Sequence, residues 1–403
     1  MSLQGKNILL GITGGIAAYK TPFIVRLLVK EGAHVRVIMT EAAKDFVTPL
    51  TLATVSKNEV LTSFIIESKE KLQKLNWNNH VEIAKWADYI LIVPATANTL
   101  SKMAFGTCDN FLTAVYLSAD CPVYFAPAMD LDMYRHPSVS ESFKKLESFG
   151  NVMIPAGYGE LASGLVGQGR MAEPEEIVEF LKNDIQSKLP LRNKKMLITA
   201  GPTYEAIDPV RFIGNHSSGK MGYALAEQAA LLGAEVTLIS GPTHLKPSSS
   251  SIKLERVTSA QEMYEVAHQY FENMDIVIMS AAVADYCPSE IADQKIKKKA
   301  QEMQINLVKT KDILASLGSI KKNQFLVGFA LETENEIENA KSKLKKKNLD
   351  LIVLNSLRDE GAGFQADTNK VTLISKDNKI TPFAVKPKEE VAIDILEYII
   401  NHA

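Results

Sequence analysis

The chain has 403 residues, more than one hydrophobic core usually organises, so at least two domains are predicted. Hydrophobic residues make up 46% of the sequence and charged residues 23%, a balance typical of soluble globular proteins that excludes disordered and fibrous chains. The formal net charge of −2 provides no basic field, so we expect no binding to nucleic acid or to anionic membranes.

The N-terminus and the cysteines indicate a cytoplasmic protein. The first residues enter a strand-like run too early for a signal peptide, and no apolar stretch is long enough to span a bilayer. Cys108, Cys121 and Cys287 are widely spaced and form no CxxC pair. This pattern predicts neither a disulfide framework nor a structural zinc site, and it fits a reducing compartment.

The first elements follow a strand–helix–strand order. An apolar run at 7–12 is followed by Gly14 and Gly15, a helical pattern at 16–30 and a second strand at 34–40. Such a unit places its two strands in parallel. Ligands of parallel open sheets collect at the carboxyl ends of the strands, so the loops after the strands are where we look for chemistry.

The same order returns near residue 195. A strand at 195–200 leads through a long glycine-rich loop to a helix at 220–232 and a strand at 235–240. Further buried strands are predicted at 89–93, 123–126, 276–280, 325–329 and 351–354. The repetition predicts two doubly wound Rossmann-like α/β domains, each a mostly parallel sheet flanked by helices. A β-hairpin is added to the second at 371–383.

The boundary between the two domains is predicted near residue 185. An amphipathic helix at 175–181 is followed by the polar segment 182–194, which contains Pro190 and is the best linker candidate. We therefore expect one domain at residues 1–185 and another at 186–403.

The loop after the first strand, residues 11–20 (GITGGIAAYK), is not a GxGxxG fingerprint. Its glycines either bring backbone N–H groups close to a phosphate at a helix start, or make an ordinary tight turn. Three more segments accompany it in order: 80–88 (HVEIAKWAD), 94–98 (PATAN) and 127–134 (PAMDLDMY). Together the four segments resemble the homo-oligomeric, flavin-containing cysteine decarboxylase family.

This resemblance implies a bound FMN and a trimeric assembly with the flavin between subunits. The FMN would be held by Gly14, Gly15, Ile16, Thr40, Pro94, Ala95 and Thr96, with Asp109 on a further loop. Decarboxylation of a cysteine derivative needs an electron sink, which the flavin supplies. His80 is the predicted catalytic residue, because an imidazole exchanges protons near neutral pH. The alternative is a capping or core histidine.

Two predicted catalytic positions depart from the family pattern. Asp130 stands where an asparagine normally meets the substrate carboxylate, so it is either protonated in the site or binds differently. Ser163 lies in residues 159–171, which resemble the family's substrate-covering flap, where bacterial members commonly have a cysteine. A serine cannot act as a thiol donor, although its hydroxyl can relay a proton.

In the second half, residues 214–220 (GNHSSGK) match part of a P-loop, but Met221 replaces the Ser or Thr that binds magnesium. The longer segment 198–222 instead resembles phosphopantothenate:cysteine ligase, as do 281–286, 295–298 and 328–333. That family activates a carboxylate with CTP as an acyl-cytidylate, which the amine of cysteine then attacks. Mg²⁺ is expected on the phosphates, with no protein ligands assigned.

The resemblance also implies roles for single residues of this half. Asn215 would hold the acyl-cytidylate and support attack by the amine through the hydrogen bonds that its amide gives and accepts; its alternative is a turn residue. Lys295 would bind phosphate during catalysis. The predicted nucleotide-binding residues are Asp285, Lys295, Lys311, Asp312, Ile313, Leu314, Phe329, Lys343 and Lys347.

The two resemblances together indicate a bifunctional decarboxylase and ligase of coenzyme A synthesis. The implied substrates are 4′-phosphopantothenate, cysteine and CTP, and the implied assembly is a homo-oligomer with trimeric decarboxylase and dimeric ligase contacts. Two alternatives remain open for the first half: a decarboxylase that acts on another cysteine-containing substrate, and a regulatory flavoprotein.

Overall fold

The computed structural model describes residues 3–65, 77–297, 303–332, 334–356 and 366–403. Lys298 and Thr333, which belong to two of the ligase-like segments, lie outside these residues. The chain forms two compact units, Met1–Ser187 and Lys188–Ala403, called here the N-terminal and the C-terminal unit. Within the described ranges, no helix is both long enough and apolar enough to cross a membrane.

The N-terminal unit is built on a parallel sheet with the strand order β3-β2-β1-β4-β5-β6. Its strands are β1 (Asn7–Ile12), β2 (His34–Met39), β3 (Val60–Leu61), β4 (Tyr89–Ala95), β5 (Val123–Pro127) and β6 (Val152–Met153). A separate antiparallel hairpin, called here the flap hairpin, consists of β7 (Gly157–Glu160) and β8 (Val166–Arg170).

Helices cover both faces of this sheet. They are α1 (Thr21–Lys30), α2 (Pro49–Ser56), α3 (His80–Trp86), α4 (Ala97–Phe105), α5 (Phe111–Leu117), α6 (Leu131–Arg135), α7 (Pro137–Ser148) and α8 (Pro174–Ser187), with 3₁₀ turns at Ile16–Lys20 and Glu41–Asp45. Alternate residues of β1 point to opposite cores: Leu10 packs against α1 and α8, whereas Leu9 packs with residues of α4 and α5. This alternation is what a strand buried on both faces requires.

The predicted linker was partly wrong. Helix α8 continues to Ser187 instead of ending at residue 181. Ile177, Leu181 and Ile185 are all buried at helical spacing, so the apolar stripe extends through a segment whose other residues are polar and at least partly exposed.

The C-terminal unit repeats the same strand order with an addition, β13-β12-β9-β14-β17-β18-β20-β21. The strands of this sheet are β9 (Lys195–Ala200), β12 (Glu235–Ser240), β13 (Lys253–Arg256), β14 (Ile276–Met279), β17 (Phe325–Glu332), β18 (Leu351–Ser356), β20 (Val371–Ser375) and β21 (Ile380–Pro382). The strands up to β18 are parallel, and β20 and β21 are antiparallel. The predicted hairpin is confirmed, with Asn378 in the left-handed region at its turn (φ 61°).

Small antiparallel pairs and helices complete this unit. The pairs are β10 (Tyr204–Ala206) with β11 (Phe212–Gly214), β15 (Tyr286–Pro288) with β16 (Leu307–Lys309), and β19 (Thr368–Asn369) with β22 (Lys386–Pro387). The helices are α9 (Lys220–Leu231), α10 (Ala260–Phe271), α11 (Ile313–Ile320), α12 (Glu336–Lys346) and α13 (Lys388–Ile400). Helices α9 and α13 cover one face of the sheet, and α10, α11 and α12 cover the other.

The prediction of two doubly wound α/β sheets is confirmed. In each sheet the strand order reverses beside the first strand, between β1 and β4 and between β9 and β14. Loops leaving the carboxyl ends of two such strands diverge to opposite faces and open a crevice, which is where open sheets bind ligands. Each unit therefore has one expected site, at this edge of its sheet.

Candidate active sites

In the N-terminal unit, Thr13 joins the loops that follow β1 and β4. Its hydroxyl donates a hydrogen bond to the carbonyl oxygen of Pro94 (2.7 Å) and accepts one from the backbone N–H of Thr96 (3.1 Å). The backbone N–H of Thr40, after β2, bonds to the carbonyl oxygen of Ile12 (3.0 Å). The structure thus brings together the predicted flavin-binding loops after three different strands.

Gly14 allows two of these loops to approach closely. A Cβ atom at this position would lie 2.6 Å from the Cβ of Ala42 and 2.9 Å from its backbone, closer than real Cβ atoms come. Gly15 faces Thr96 with more room, because its Cβ would be 3.3 Å from the Thr96 methyl group. Ile16 begins a 3₁₀ turn and is exposed. The first glycine is therefore required by the backbone path itself.

His80 is the first residue of α3, immediately after the cap. The cap is Asn79, whose side chain accepts the N–H groups of Val81 and Glu82, so His80 is not needed for capping. Its ring has edge contacts with Phe64 (5.9 Å between centroids) and Trp77 (6.3 Å). Nδ1 is buried and, among the described residues, has no hydrogen-bond partner. A buried nitrogen without a partner is costly unless a ligand or water completes it.

Asp130 caps α6 and lies under the flap hairpin. Its carboxylate accepts the N–H of Leu131 at 2.6 Å. The neighbouring Met129 N–H bonds to the carbonyl oxygen of Gly169 in β8 (3.1 Å), and Gly169 has a φ of 137°. A Cβ on Gly169 would lie 2.5 Å from the carbonyl oxygen of Met129. The flap hairpin is thus attached to the segment that carries Asp130.

Ser163 and Asp109 are both exposed. Ser163 lies in the turn of the flap hairpin, where its hydroxyl accepts the N–H of Leu165 (3.4 Å). Asp109 pairs with Lys102 (2.6 Å), and the hydrogen bond from that ammonium holds the pKa of Asp109 below its usual value. The structure does not join either side chain to the loops around Thr13 by a hydrogen bond of the described residues.

The base of the flap hairpin is tied to the glycine motif. Lys20, the last residue of that motif, is buried and forms an ion pair with Glu173 (2.8 Å), which also pairs with Arg170 (2.9 Å). The hydrogen bond from Lys20 lowers the pKa of Glu173. Sequence reasoning assigned no role to this pair, because the two residues are 153 positions apart.

These features fit an FMN. The glycine-tight loop leads into a helical turn, which suits a phosphate, and the unsatisfied Nδ1 of His80 offers a polar contact beside aromatic rings. Gly14, Gly15, Ile16, Thr40 and the loop from Pro94 to Thr96 are the residues that would hold the group.

The C-terminal unit contains a cavity of about 780 Å³. Most of the predicted ligase residues line it: Asn215, Asp285, Lys311, Asp312, Ile313, Leu314, Phe329, Lys343 and Lys347. Gly222, in the first turn of α9, lies in the same lining. The volume falls within the range of about 300–1,000 Å³ usual for small-molecule sites.

Lysines enter this cavity from both faces of the sheet. Lys343 and Lys347, at the end of α12, pair with Glu332 (2.6 Å) and Asp312 (2.7 Å). From the opposite face, Lys220 and Lys388 are the first residues of α9 and α13. A cavity with cations on two sides suits a ligand with several negative charges.

Lys388 is the most buried of these cations. It is 7% exposed and donates a short hydrogen bond to the carbonyl oxygen of Ala366. Burial lowers the pKa of its ammonium, and the charge of nearby Lys220 lowers it further. Lys220 in turn pairs with Asp367 (2.5 Å). An anionic ligand beside the Lys388 ammonium would offset the effect of burial and favour its charged form.

Asn215 is held by the loop that follows β14. Its side-chain nitrogen donates to the carbonyl oxygens of Ala282 and Val283, both at 3.1 Å. Both amide hydrogens are therefore engaged, and the amide oxygen remains as an acceptor. This differs from the expectation that the amide both donates to and accepts from the ligand.

Lys295 is not part of the described lining of the cavity, and its side chain is exposed. Its neighbour Ile296 is fixed: the N–H of Ile296 donates to Asp208 (3.2 Å), and its carbonyl oxygen accepts from Arg211 (3.1 Å). Asp208 and Arg211 form an ion pair in the turn between β10 and β11, and the hydrogen bond from Arg211 lowers the pKa of Asp208. The same hairpin ends next to Asn215, so it anchors both predicted catalytic segments.

Several residues of the cavity were missed by the sequence argument. They are Lys220, Asn355, Asn369 and Lys388. Asn355 at the end of β18 has a buried side-chain oxygen without a partner among the described residues, which a ligand N–H or O–H group could satisfy. Lys220 belongs to the near-P-loop motif that was set aside, whereas no local signal marks Lys388.

Comparison with known proteins covers both units. The family described as "Flavoprotein" matches residues 1–186, and the family "DNA/pantothenate metabolism flavoprotein C-terminal domain" matches residues 191–402. The "Coenzyme A biosynthesis bifunctional protein CoaBC" of Bacillus subtilis (strain 168) is 45% identical over 399 residues, covering 98% of this chain and 97% of that protein. A crystal structure of the C-terminal domain of a CoaBC protein is 45% identical, with a TM-score of 0.46, and covers 53% of this chain and 97% of that one.

Another relative has a different name. A "Cysteine/Cysteine sulfinic acid decarboxylase" from an unknown prokaryotic organism is 55% identical over 361 residues, covering 88% of this chain and 99% of that protein. The alignments of this chain with the decarboxylase and with the Bacillus subtilis protein both extend over the two units. Both families and nearly the whole length are matched, so the chain belongs to the family of bifunctional coenzyme A biosynthesis proteins, with decarboxylase and ligase activities.

Proposed function

We propose that the chain carries out two consecutive reactions of coenzyme A biosynthesis. The C-terminal unit joins 4′-phosphopantothenate to cysteine with CTP, through an acyl-cytidylate. The N-terminal unit then decarboxylates 4′-phosphopantothenoylcysteine to 4′-phosphopantetheine with FMN. The observation that supports this most is the cavity that gathers Asn215 with lysines from both faces of one sheet.

In the ligase reaction, the lysines offset the charge of the triphosphate and of the phosphorylated acid. Lys343 and Lys347 are already oriented by Glu332 and Asp312, so their side chains lose little freedom on binding. Lys295 would add a further cation from the segment held by Asp208 and Arg211. Mg²⁺ is expected to bind with CTP, because the negative charge of the triphosphate would otherwise be matched by lysines alone.

Asn215 positions the nucleophile in this proposal. Its oxygen, left as an acceptor, takes a hydrogen bond from the amine of cysteine and directs the nitrogen lone pair at the activated carbonyl. The alternative, a simple turn residue, is opposed by the two hydrogen bonds that fix the side chain to Ala282 and Val283.

In the decarboxylase reaction, bound FMN supplies the electron sink that the loss of carbon dioxide requires. The residues of this chain bind and orient the reactants. His80, with its unsatisfied Nδ1 at the edge of an aromatic wall, is the group that moves a proton. Asp130 and Ser163 would act at the substrate carboxylate and during proton relay from the flap hairpin, respectively.

The test uses the purified full chain with FMN, CTP, Mg²⁺, 4′-phosphopantothenate and cysteine. We expect cysteine-dependent release of CMP and subsequent release of carbon dioxide, from a protein that is yellow with FMN. The variant His80→Asn should keep the CMP signal and lose the carbon dioxide. No CMP release from a folded protein would refute the ligase assignment, and loss of both signals in His80→Asn would refute the division between the two units.

A second candidate for the N-terminal unit is decarboxylation of a smaller cysteine-derived acid. Two observations favour it: Asp130 replaces the asparagine of the family pattern and caps α6 with its carboxylate, and a 55% identical relative is named for cysteine and cysteine sulfinic acid. Carbon dioxide release should be compared for free cysteine, cysteine sulfinic acid and 4′-phosphopantothenoylcysteine. Release from the free acids alone would establish this candidate.

The setting of the enzyme follows from its substrates. CTP and the free thiol of cysteine are cytoplasmic reactants, so we place the protein in the cytoplasm.

A homo-oligomer is proposed, with trimeric contacts of the decarboxylase and dimeric contacts of the ligase. Ile16, Tyr19 and Phe23 are more than half exposed beside the flavin-binding loop, which supports a subunit interface there. Light scattering at several concentrations would measure the assembly.

A further inference from the structure

Behind the predicted nucleotide site, helices α10 and α11 share a polar cluster that no assigned function uses. It consists of Tyr264, His268 and Ser316, and it lies next to Lys311 of the cavity. The ammonium of Lys311 is 4.6 Å from the centre of the Tyr264 ring. A cation at this distance over an aromatic face is attracted by the negative charge of the ring face.

The hydrogen bonds of the cluster have one consistent direction. Nδ1 of His268 lies 2.8 Å from the carbonyl oxygen of Tyr264, which can only accept, so Nδ1 carries the proton. In the neutral imidazole Nε2 then accepts from the Ser316 hydroxyl at 2.9 Å. The Tyr264 hydroxyl, 3.2 Å from Ser316, is left to donate to the serine oxygen. The side-chain polar atoms of Tyr264, His268 and Ser316 are thus all hydrogen-bonded, and the Tyr264 ring is fixed at its hydroxyl end.

The ring is held from its side as well. Tyr264 and His268 are stacked, with centroids 4.0 Å apart and an interplanar angle of 29°. Such packing and a hydroxyl anchor leave the ring little freedom to turn away from Lys311. The platform under the lysine is therefore rigid.

The neighbours of Lys311 leave its orientation to the Tyr264 ring. The neighbouring carboxylate, Asp312, caps α11 through the N–H of Ala315 (3.0 Å) and pairs with Lys347 (2.7 Å). Although burial alone would raise its pKa, these contacts hold the pKa of Asp312 below the usual value. Asp312 is thus engaged elsewhere, and the aromatic face is the contact that orients the otherwise exposed Lys311.

We propose that Tyr264 is a positioning residue of the nucleotide site, a fixed aromatic platform that holds the Lys311 ammonium at the cavity for a phosphate or carbonyl oxygen of the nucleotide. Lysine has a flexible four-carbon stem, and orienting it before binding reduces the entropy lost when a ligand binds. The inference rests on the proposed role of Lys311 in binding CTP.

A double-mutant cycle tests it, with CTP affinity measured by calorimetry and KM and kcat by CMP release. We expect Tyr264→Leu to weaken CTP binding about two- to fivefold, the range of an exposed cation–π contact, with kcat unchanged. Tyr264→Phe keeps the ring face and should retain most of the affinity. In a Lys311→Met background, Tyr264→Leu should have no further effect, since the platform then holds nothing.

Tyr270 provides a matched control on the same helix. Its ring lies under Lys253, with the ammonium 4.7 Å from the centroid, but Lys253 does not belong to the described lining of the cavity. Tyr270→Leu should therefore leave CTP binding unchanged. The inference is overturned if Tyr264→Leu has no effect, or if it weakens binding equally with and without Lys311. Absence of CTP binding by the unmodified protein would instead contradict the proposed function itself.

Discussion

Replacing Thr13 with valine should weaken FMN binding strongly, although Thr13 was not among the predicted site residues. The substitution keeps the shape of the side chain and removes one oxygen. Thr13 is 1% exposed, and its oxygen bonds to two backbone groups, the carbonyl oxygen of Pro94 and the N–H of Thr96, besides lying 3.2 Å from the Thr96 hydroxyl. The loops after β1 and β4 lose their direct connection.

The magnitude follows from the groups left without partners. An unsatisfied buried polar group costs about 1–3 kcal/mol, and Thr13→Val leaves two of them. Thr96 is only half-buried, so water can reach its N–H in part and the sum is about 2–4 kcal/mol. If the loops move out of their binding geometry to relieve this cost, the lower value alone weakens FMN binding roughly 30-fold.

The assay is titration of the FMN-free full chain with FMN, followed by flavin fluorescence, together with urea unfolding of each variant. Thr13→Ser retains the hydroxyl and should bind FMN nearly as the unmodified protein does. Thr21→Val is the matched control, because Thr21 is equally buried but its hydroxyl makes one hydrogen bond to the described residues, to the carbonyl oxygen of Ala18 (2.7 Å). Unchanged stability and FMN affinity in Thr13→Val would refute the role given to this hydroxyl.

Three further predictions concern charge and hydrogen bonding. Because Lys20 lowers the pKa of Glu173, this pair stabilises the fold above the ordinary glutamate pKa of about 4.3. The contribution disappears as the pH falls through the lowered pKa. In urea unfolding, the stability difference between the unmodified protein and Glu173→Gln should therefore shrink toward zero between about pH 6 and 3. Lys295→Gln should slow acyl-cytidylate formation, since a charge-assisted contact is worth about 1.5–3 kcal/mol, and a normal rate of cysteine-independent activation would contradict the assignment. Asn215→Asp places a carboxylate against the carbonyl oxygens of Ala282 and Val283, so the acyl-cytidylate should accumulate without cysteine turnover; turnover at the unmodified rate would make Asn215 a turn residue only.

The elements that sequence reasoning located well are those whose signal is local. Strands β1, β9 and β12 begin and end at the predicted residues, because each is an apolar run bounded by polar or glycine residues. Their topology then brings distant motifs together without further information, since the carboxyl ends of parallel strands share one edge. The meeting of the loops at Thr40 and Thr96 is a consequence of this order.

What could not be predicted depends on contacts between remote segments. Thr13 is an unremarkable threonine in the sequence, and its importance comes from the Pro94 carbonyl oxygen 81 positions away. Lys388 begins the last helix of the chain, yet it reaches the cavity because α13 packs beside α9. Helix α8 was predicted too short, because the polar residues on its exposed face concealed the buried Ile185.

The two units show how one topology supports two chemistries. Both sheets open a crevice beside their first strand, so the fold alone does not distinguish a flavin site from a nucleotide site. The difference lies in the residues at the loops and helix starts. In the N-terminal unit, Thr13 and Gly14 allow the loops to lie close together, and His80 has a buried imidazole nitrogen without a partner among the described residues. In the C-terminal unit, Lys220 and Lys388 place positive charge at the helix starts, where the helix dipole adds to it. We therefore expect the difference in ligand between the two units to depend on the side chains at the loops and helix starts, and not on the topology of the sheets.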